Sequence, residues 1–186
     1  GGTDGGGCGV GGMGVRGNPL SNHQLISRVL QHFITNRQGR GRVVKALTTT
    51  SMVDKICQKF NLPLVETGVG FKFITTELLK GGVLLGFEES GGIAFPGHIP
   101  ERDGILSGLM LLEMLATEKK SVTKLLKQLT DEYGPHAYAR NDTHFPVEKR
   151  AALMDYCQNN HPAQRLKSPL KEVKHYEGGK CISEEG

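Results

Sequence analysis

Tryptophan is missing from the 186 residues, and aromatic residues make up only 6% of them. The net charge of +4 is spread along the chain with no dense basic block. Without aromatic faces interleaved between clustered cations, a nucleic-acid surface is not expected. Cys8, Cys57, Cys157 and Cys181 are scattered, with no Cys-x-x-Cys pair, which argues against both a zinc knuckle and a disulfide framework. They read as free thiols. No apolar run approaches the roughly 20 residues that a membrane helix needs, and no charged segment followed by an apolar one opens the chain. The expectation is a soluble, cytoplasmic protein with neither a nucleic-acid nor a membrane partner. Internal repeats are absent as well.

What is present is ordinary in bulk and unusual at one end. Hydrophobic residues at 37% and charged residues at 23% are globular values, and the length suits one domain, or one with pieces of its neighbours. The 26 glycines are about twice the usual share, and ten of them crowd into the first 17 positions. Within them Gly7-x-Gly9-x-x-Gly12 formally matches a dinucleotide fingerprint, but no strand is expected before it and no helix at its last glycine, so nucleotide binding is set aside. The chain begins with Gly and stops inside a strand-like pattern, so a fragment is expected.

From Ser21 onward helices and strands alternate. Ser21 with Gln24 has the form of a capping box for a helix to Asn36, and Leu25, Val29 and Phe33 recur on one face. His23 and His32 fall off that stripe and read as solvated. Arg42–Thr49 has strand character, Ser51 can cap a helix to Phe60, and Leu62–Glu66 is the next strand. A turn over Thr67–Lys72 leads into a helix that stops at Gly81-Gly82, and Val83–Gly86 is the third strand. After Pro96–Pro100 a helix opens at Glu101 with Ile105, Leu109, Leu112 and Ala116 expected inward, and another covers Val122–Tyr133. Met110 and Met114 read as core filler. Beyond Gly134-Pro135 the pattern gives an edge strand over His136–Thr143, a helix over Pro146–Gln158, a polar loop to Pro169 and a hairpin over Val173–Ser183. The sum is an α/β protein, a three-layer α/β/α domain with a mostly parallel mixed sheet plus an incomplete α+β C-terminal piece.

The stretch that carries chemistry is Gly86-Phe87-Glu88-Glu89-Ser90-Gly91-Gly92, set between two short apolar runs. Glu88 and Ser90 are two apart, so an extended backbone turns both to one side, where they can take neighbouring hydroxyls of a small polyol; Glu89 points the other way. Ligands of such sheets bind at the carboxyl ends of the strands. Thr67–Lys72 and Phe87–Gly92 both follow strands and meet at that edge. Lys72 sits in the first turn of its helix and can contact a phosphate, and Arg102 can reach an anion above the loop.

These three segments, Thr67-Gly68-Val69-Gly70-Phe71-Lys72, Phe87-Glu88-Glu89-Ser90-Gly91-Gly92 and Glu101-Arg102-Asp103-Gly104, closely resemble the third domain of the phosphoglucomutase/phosphomannomutase (α-D-phosphohexomutase) family. The resemblance runs from about Gly17 to Tyr133. It implies residues 1–16 as a remnant of the metal-loop second domain, 17–133 as the sugar-binding third, and 134–186 as the start of the phosphate-binding fourth. It further implies that Thr67, Gly68, Glu88 and Ser90 bind the hexose phosphate, and that Lys72 and Arg102 are catalytic cations facing the phosphates or the reacting hydroxyl. The implied activity interconverts hexose 1-phosphate and hexose 6-phosphate, of glucose or mannose, through a phosphoserine and a bisphosphate intermediate. The remaining domains of the same polypeptide would be its partners.

The departures are as specific as the matches. The family's magnesium loop, Asp-Gly-Asp-x-Asp-Arg, falls on Asp4-Gly5-Gly6-Gly7-Cys8-Gly9, so Asp4 alone survives among three ligand positions. A hard cation wants more oxygen than one carboxylate and a thiol provide, and Mg2+ is expected to bind weakly or not at all. The family's phosphoserine loop, of Thr-Ala-Ser-His-Asn-Pro type, and its Arg-x-Ser-Gly-Thr phosphate loop are not among these residues, so this chain alone is not expected to turn over substrate. The alternative expectation is a non-catalytic sugar-phosphate-binding fragment or pseudoenzyme with a degenerate metal loop.

Overall fold

The structure, a computed structural model, describes residues 2–3, 9–13, 17, 19–139, 143–160, 162–165, 168–169 and 172–185. It divides into two compact units, 1–137 and 138–186. The first holds β1 (Gly2–Thr3), β2 (Val10–Met13), β3 (Pro19–Leu20), α1 (Asn22–Thr35), β4 (Arg42–Ala46), α2 (Met52–Phe60) and β5 (Leu64–Thr67). It continues with α3 (Phe71–Leu79), β6 (Val83–Phe87), β7 (Ile93–Ala94), α4 (Gly104–Glu118) and α5 (Val122–Tyr133).

The main sheet has the order β5-β4-β6-β7, with β5, β4 and β6 parallel and β7 antiparallel to β6. Alternation along β4 assigns its two faces. Val43 packs with Leu85 and Phe87 against α1, α2 and α5, through Val29, Phe33, Val53, Ile56 and Leu129. Val44 and Ala46 face the other way, onto Phe71 and Ile74 of α3. Helices therefore cover both faces, the three-layer α/β/α arrangement that the alternating pattern predicts. Burying each such large apolar side chain stabilises the fold by about 1.5–3 kcal/mol.

Several local expectations are corrected. Ser21 caps α1 by position without a side-chain hydrogen bond, and Ser51 does the same for α2, so the capping box is not formed. The strand expected to Thr49 ends at Ala46, because Thr49 N–H turns back to the Ala46 carbonyl at 2.9 Å. A strand does precede the glycine fingerprint, contrary to expectation, but β1 pairs antiparallel with β2, and the fingerprint's last glycine, Gly12, lies within β2 rather than at a helix start.

His23 and His32 are buried rather than solvated, because α1 is packed nearly all round, with His23 and every residue from Leu25 to Ile34 buried. His32 Nε2 lies 3.2 Å from Glu113, and Asn36 Nδ2 lies 2.9 Å from its Nδ1.

The inward face of α4 also differs from the expected one. Ile105, Leu109 and Leu112 are 70%, 55% and 63% exposed, while Ser107 and Met114 are buried. The acidic residues explain the rotation: Glu113 meets His32 and Arg37, and Glu118 meets Arg28 and Asn36, all on or just after α1. α4 begins at Gly104 rather than Glu101, with Asp103 as its cap. Arg102 therefore precedes the helix instead of lying in its first turn.

In the second unit a 3-10 turn (Val147–Lys149) leads into α6 (Arg150–Asn159). β8 (Gln164–Arg165) pairs with β9 (Ser168–Pro169), inside the segment expected to be loop. β10 (Val173–Glu177) and β11 (Lys180–Glu185) form the predicted hairpin. The edge strand expected over His136–Thr143 is not formed at 136–139 or 143, and 140–142 lie outside the described residues. Among the described residues no helix is long and apolar enough to cross a membrane.

Candidate functional site

β6 ends in Phe87, which is fully buried, and the chain then has five residues in which to reverse into β7. Two backbone bonds close the turn: Glu88 N–H donates to the Gly92 carbonyl at 3.1 Å, and Gly91 N–H to the Glu88 carbonyl at 3.2 Å. Glycine is required twice, for different reasons. Gly91 has φ +95°, and a Cβ there would lie 2.6 Å from the Val10 carbonyl oxygen. A Cβ on Gly92 would lie 3.0 Å from Glu88 Oε1 and 2.9 Å from Arg102 Cδ. Asn22, in the first turn of α1, donates Nδ2 to the Ser90 carbonyl at 2.8 Å, and Val10 N–H reaches the Gly91 carbonyl at 3.3 Å. The loop is thus held from the turn itself, from α1 and from β2.

On that loop Glu88 is 8% exposed. Its Oε1 accepts from Ser90 Oγ at 2.7 Å and from Arg102 Nη1. Both donors converge on one oxygen, so Oε2 remains to accept from a ligand hydroxyl. The Arg102 guanidinium also lies 5.3 Å from the centroid of the Phe71 ring, a cation–π geometry that sets it beside the start of α3. Lys72, the next residue of α3, is exposed, with Nζ 4.9 Å from the Phe73 centroid. The N-cap position of α3 is Gly70, which brings no side chain to satisfy the first amides. Arg102 therefore borders the buried carboxylate, and through the Phe71 ring it lies beside the positive end of α3, where Lys72 is the second residue.

The remaining predicted positions divide. Thr67 is buried, and its hydroxyl donates to the Gly68 carbonyl at 3.1 Å and to the Lys45 carbonyl at 3.4 Å. It ties the end of β5 to β4 and turns its oxygen inward, while Gly68 is buried beside it. Asp4 lies outside the described residues, as do Gly6 and Cys8. Among the described residues no group of three or more His, Cys, Asp or Glu side chains could hold a metal ion.

Sequence reasoning missed three groups at this edge. Lys45 is 3% exposed and meets Asp54 at 2.5 Å and Glu66 at 3.0 Å; a lysine inside the apolar run of β4 was its signal. Thr48, just past β4, donates its hydroxyl to the Glu89 carboxylate, so Glu89 does point away from Glu88 but toward a neighbouring loop. Asp103 binds three ways: its N–H donates to the Ile93 carbonyl at 3.1 Å, Oδ1 accepts from Leu106 N–H at 2.8 Å, and Oδ2 accepts from His98 Nε2 at 2.9 Å. The Leu106 amide first, and then His98, lower its pKa from the ordinary carboxylate value. Burial lowers the pKa of His23, against the opposing charge of nearby Glu89.

The family described as phosphoglucomutase/phosphomannomutase, alpha/beta/alpha domain III, matches residues 22–133. A phosphoglucomutase of Komagataeibacter xylinus is 31% identical over 140 residues, which are 71% of this chain and 25% of that protein. A phosphoglucosamine/phosphogalactosamine mutase of Sulfurisphaera tokodaii is 33% identical over 54% of this chain and 22% of its own length. Among solved structures, a protein assigned as a phosphomannomutase from Thermus thermophilus superposes with a TM-score of 0.67 at 38% identity, over 71% of this chain and 30% of that one. The chain spans about a quarter of the length of the curated relatives it matches.

Proposed function

The chain belongs to the phosphoglucomutase/phosphomannomutase family through that family's third, α/β/α domain, and from this premise we propose that Glu88, Ser90, Arg102 and Lys72 form the sugar-phosphate recognition site of a phosphohexomutase. The observation that carries the reading is the convergence of Ser90 and Arg102 on one oxygen of a buried carboxylate at the carboxyl end of β6. Glu88, through Oε2, and Ser90 take two neighbouring sugar hydroxyls between them, the bond to the charged carboxylate contributing about 1.5–3 kcal/mol. Arg102 holds the Glu88 carboxylate in its aim. With Lys72 and the first amides of α3, it also stabilises negative charge on a phosphoryl group near the reacting hydroxyl.

A hexose phosphate that gives up one phosphate and gains another must present its two ends alternately. A site that reads ring hydroxyls rather than either phosphate end permits that reversal. In the whole polypeptide a phosphoserine from another domain supplies and receives the phosphoryl group, interconverting hexose 1-phosphate and hexose 6-phosphate through a bisphosphate. The uncharged outer face of α4 then lies against another part of that polypeptide. Glucose and mannose are the proposed sugars, although the relatives' names also include amino-sugar phosphates. Magnesium has a poor home in this chain, because Asp4, Gly6 and Cys8 offer one carboxylate and one thiol where a hard cation wants oxygen. That donor set favours a second reading, a sugar-phosphate-binding protein without turnover.

Isothermal titration of the chain with glucose 6-phosphate and mannose 6-phosphate tests the site. Saturable binding is expected, weakened about 10- to 100-fold in Glu88→Gln, the loss of one or two charge-assisted bonds. Equal binding by wild type and Glu88→Gln would overturn the assignment. Turnover by a longer polypeptide carrying this segment would separate the mutase from the pure binder.

A further inference from the structure

We infer that His98 is a positioning residue for Arg102: it fixes the guanidinium over Glu88 by holding the carboxylate of Asp103. The inference rests on the sugar-phosphate reading for its purpose, but its geometry stands apart from it.

The segment between β7 and α4 offers little to hold it by packing. Positions 96–101 are exposed, Ile99 is 54% exposed, and Gly97 takes φ +71°, a conformation that leaves the chain free to reverse. Its far end is anchored well. Asp103 donates its N–H to Ile93, its carbonyl accepts from Ser107 N–H at 3.0 Å and Ser107 Oγ at 2.6 Å, and Oδ1 caps the Leu106 amide. Oδ2 is taken by His98 Nε2 at 2.9 Å, which ties the middle of the loop to the start of α4.

Arg102 lies inside the closed ring that this bond completes, between His98 and Asp103. Its side chain must cross from there to Glu88 and to the Phe71 ring. With the tether cut, Oδ1 still caps α4, so the helix has no reason to unfold. What is lost is the restraint on the backbone from 98 to 102, and with it the aim of the guanidinium. Because the acceptor is a carboxylate, the ring nitrogen donates, and a glutamine amide can supply the same N–H.

The test follows the Arg102 Nε–Hε group by nitrogen-15 relaxation in the full chain without ligand, for wild type, His98→Ala and His98→Gln. In wild type the order parameter is expected near rigid-backbone values, falling below about 0.6 in His98→Ala and returning in His98→Gln. The thermal midpoint of all three is expected to agree. Titration with glucose 6-phosphate should then show about three- to tenfold weaker binding for the alanine variant alone, less than the loss of a whole charge-assisted bond.

An unchanged Arg102 order parameter in His98→Ala overturns the inference. So does a large fall in thermal midpoint shared by both variants, which would make His98 a folding residue. Failure of the wild-type chain to bind the sugar phosphate would instead overturn the functional reading, and the Arg102 ordering result would remain decisive for His98.

Discussion

Replacing Gly92 with alanine adds one methyl group at the centre of the site, and its neighbours set the result. The new Cβ would meet Arg102 Cδ at 2.9 Å, Glu88 Oε1 at 3.0 Å and Glu88 Cγ at 3.1 Å. All three are side-chain atoms of the ion pair, so relief comes from moving that pair by a few tenths of an ångström rather than the backbone. Overpacking of this kind costs about 1–3 kcal/mol, within a total stability of about 5–15 kcal/mol. The fold should survive, and the displaced pair should weaken glucose 6-phosphate binding at least tenfold.

Gly91→Ala is the matched control. Its Cβ would meet backbone, the Val10 carbonyl oxygen at 2.6 Å, and its φ of +95° is strained for any side chain. The left-handed penalty of about 1–2 kcal/mol adds to the overpacking, giving about 2–5 kcal/mol and a chain that melts early before binding is even asked. Thermal denaturation and isothermal titration of both variants separate the two cases. Unaltered affinity in Gly92→Ala, or a stability loss in Gly92→Ala larger than in Gly91→Ala, would refute the packing argument.

His23 makes stability fall with acid: its folded pKa lies below its unfolded value of 6.5, lowered by burial. Its contribution is therefore fully present above the unfolded pKa and is lost as pH drops below it, where the unfolded chain binds the proton more readily. Urea unfolding between pH 7.5 and 5 should show that fall in wild type and a flatter profile in His23→Gln; parallel profiles would remove His23 as the cause. The outer face of α4, with Ile105, Leu109 and Leu112 exposed, should make the chain self-associate as its concentration rises. Sedimentation velocity should show that association suppressed in a Leu109→Lys, Leu112→Lys double variant. A wild type monomeric at all concentrations would contradict the expectation.

Why the sequence discloses the sheet but not the face of α4 follows from the residues themselves. Val43-Val44 in β4 and Val83-Leu84-Leu85 in β6 are short apolar runs between turn signals, and strands buried on both faces have that form. α4 is apolar nearly all round, with Leu106, Met110, Leu111 and Met114 competing against Ile105, Leu109 and Leu112. Periodicity cannot choose between two apolar stripes; the choice is made by Glu113 and Glu118 meeting partners on α1, about 80 residues away in sequence.

The buried histidines fail for a related reason. His32 lies off the stripe of Leu25, Val29 and Phe33 and still goes inside, because Glu113 and Asn36 satisfy its ring there. At the site, Glu88 and Ser90 do come together, Ser90 Oγ donating to Glu88 Oε1, but through a turn closed by Gly91 N–H on the Glu88 carbonyl rather than through the extended backbone that their spacing suggests. Thr48 was not legible, since it matters through Glu89, on a loop 41 residues away in sequence.

The most direct measurement is a nitrogen-15 correlation spectrum of the chain titrated with glucose 6-phosphate. The account predicts saturable shifts concentrated at Glu88 to Gly92, at the Arg102 side chain and at Phe71-Lys72. Saturation without shifts in these three segments, or no saturable shift at all, would contradict it.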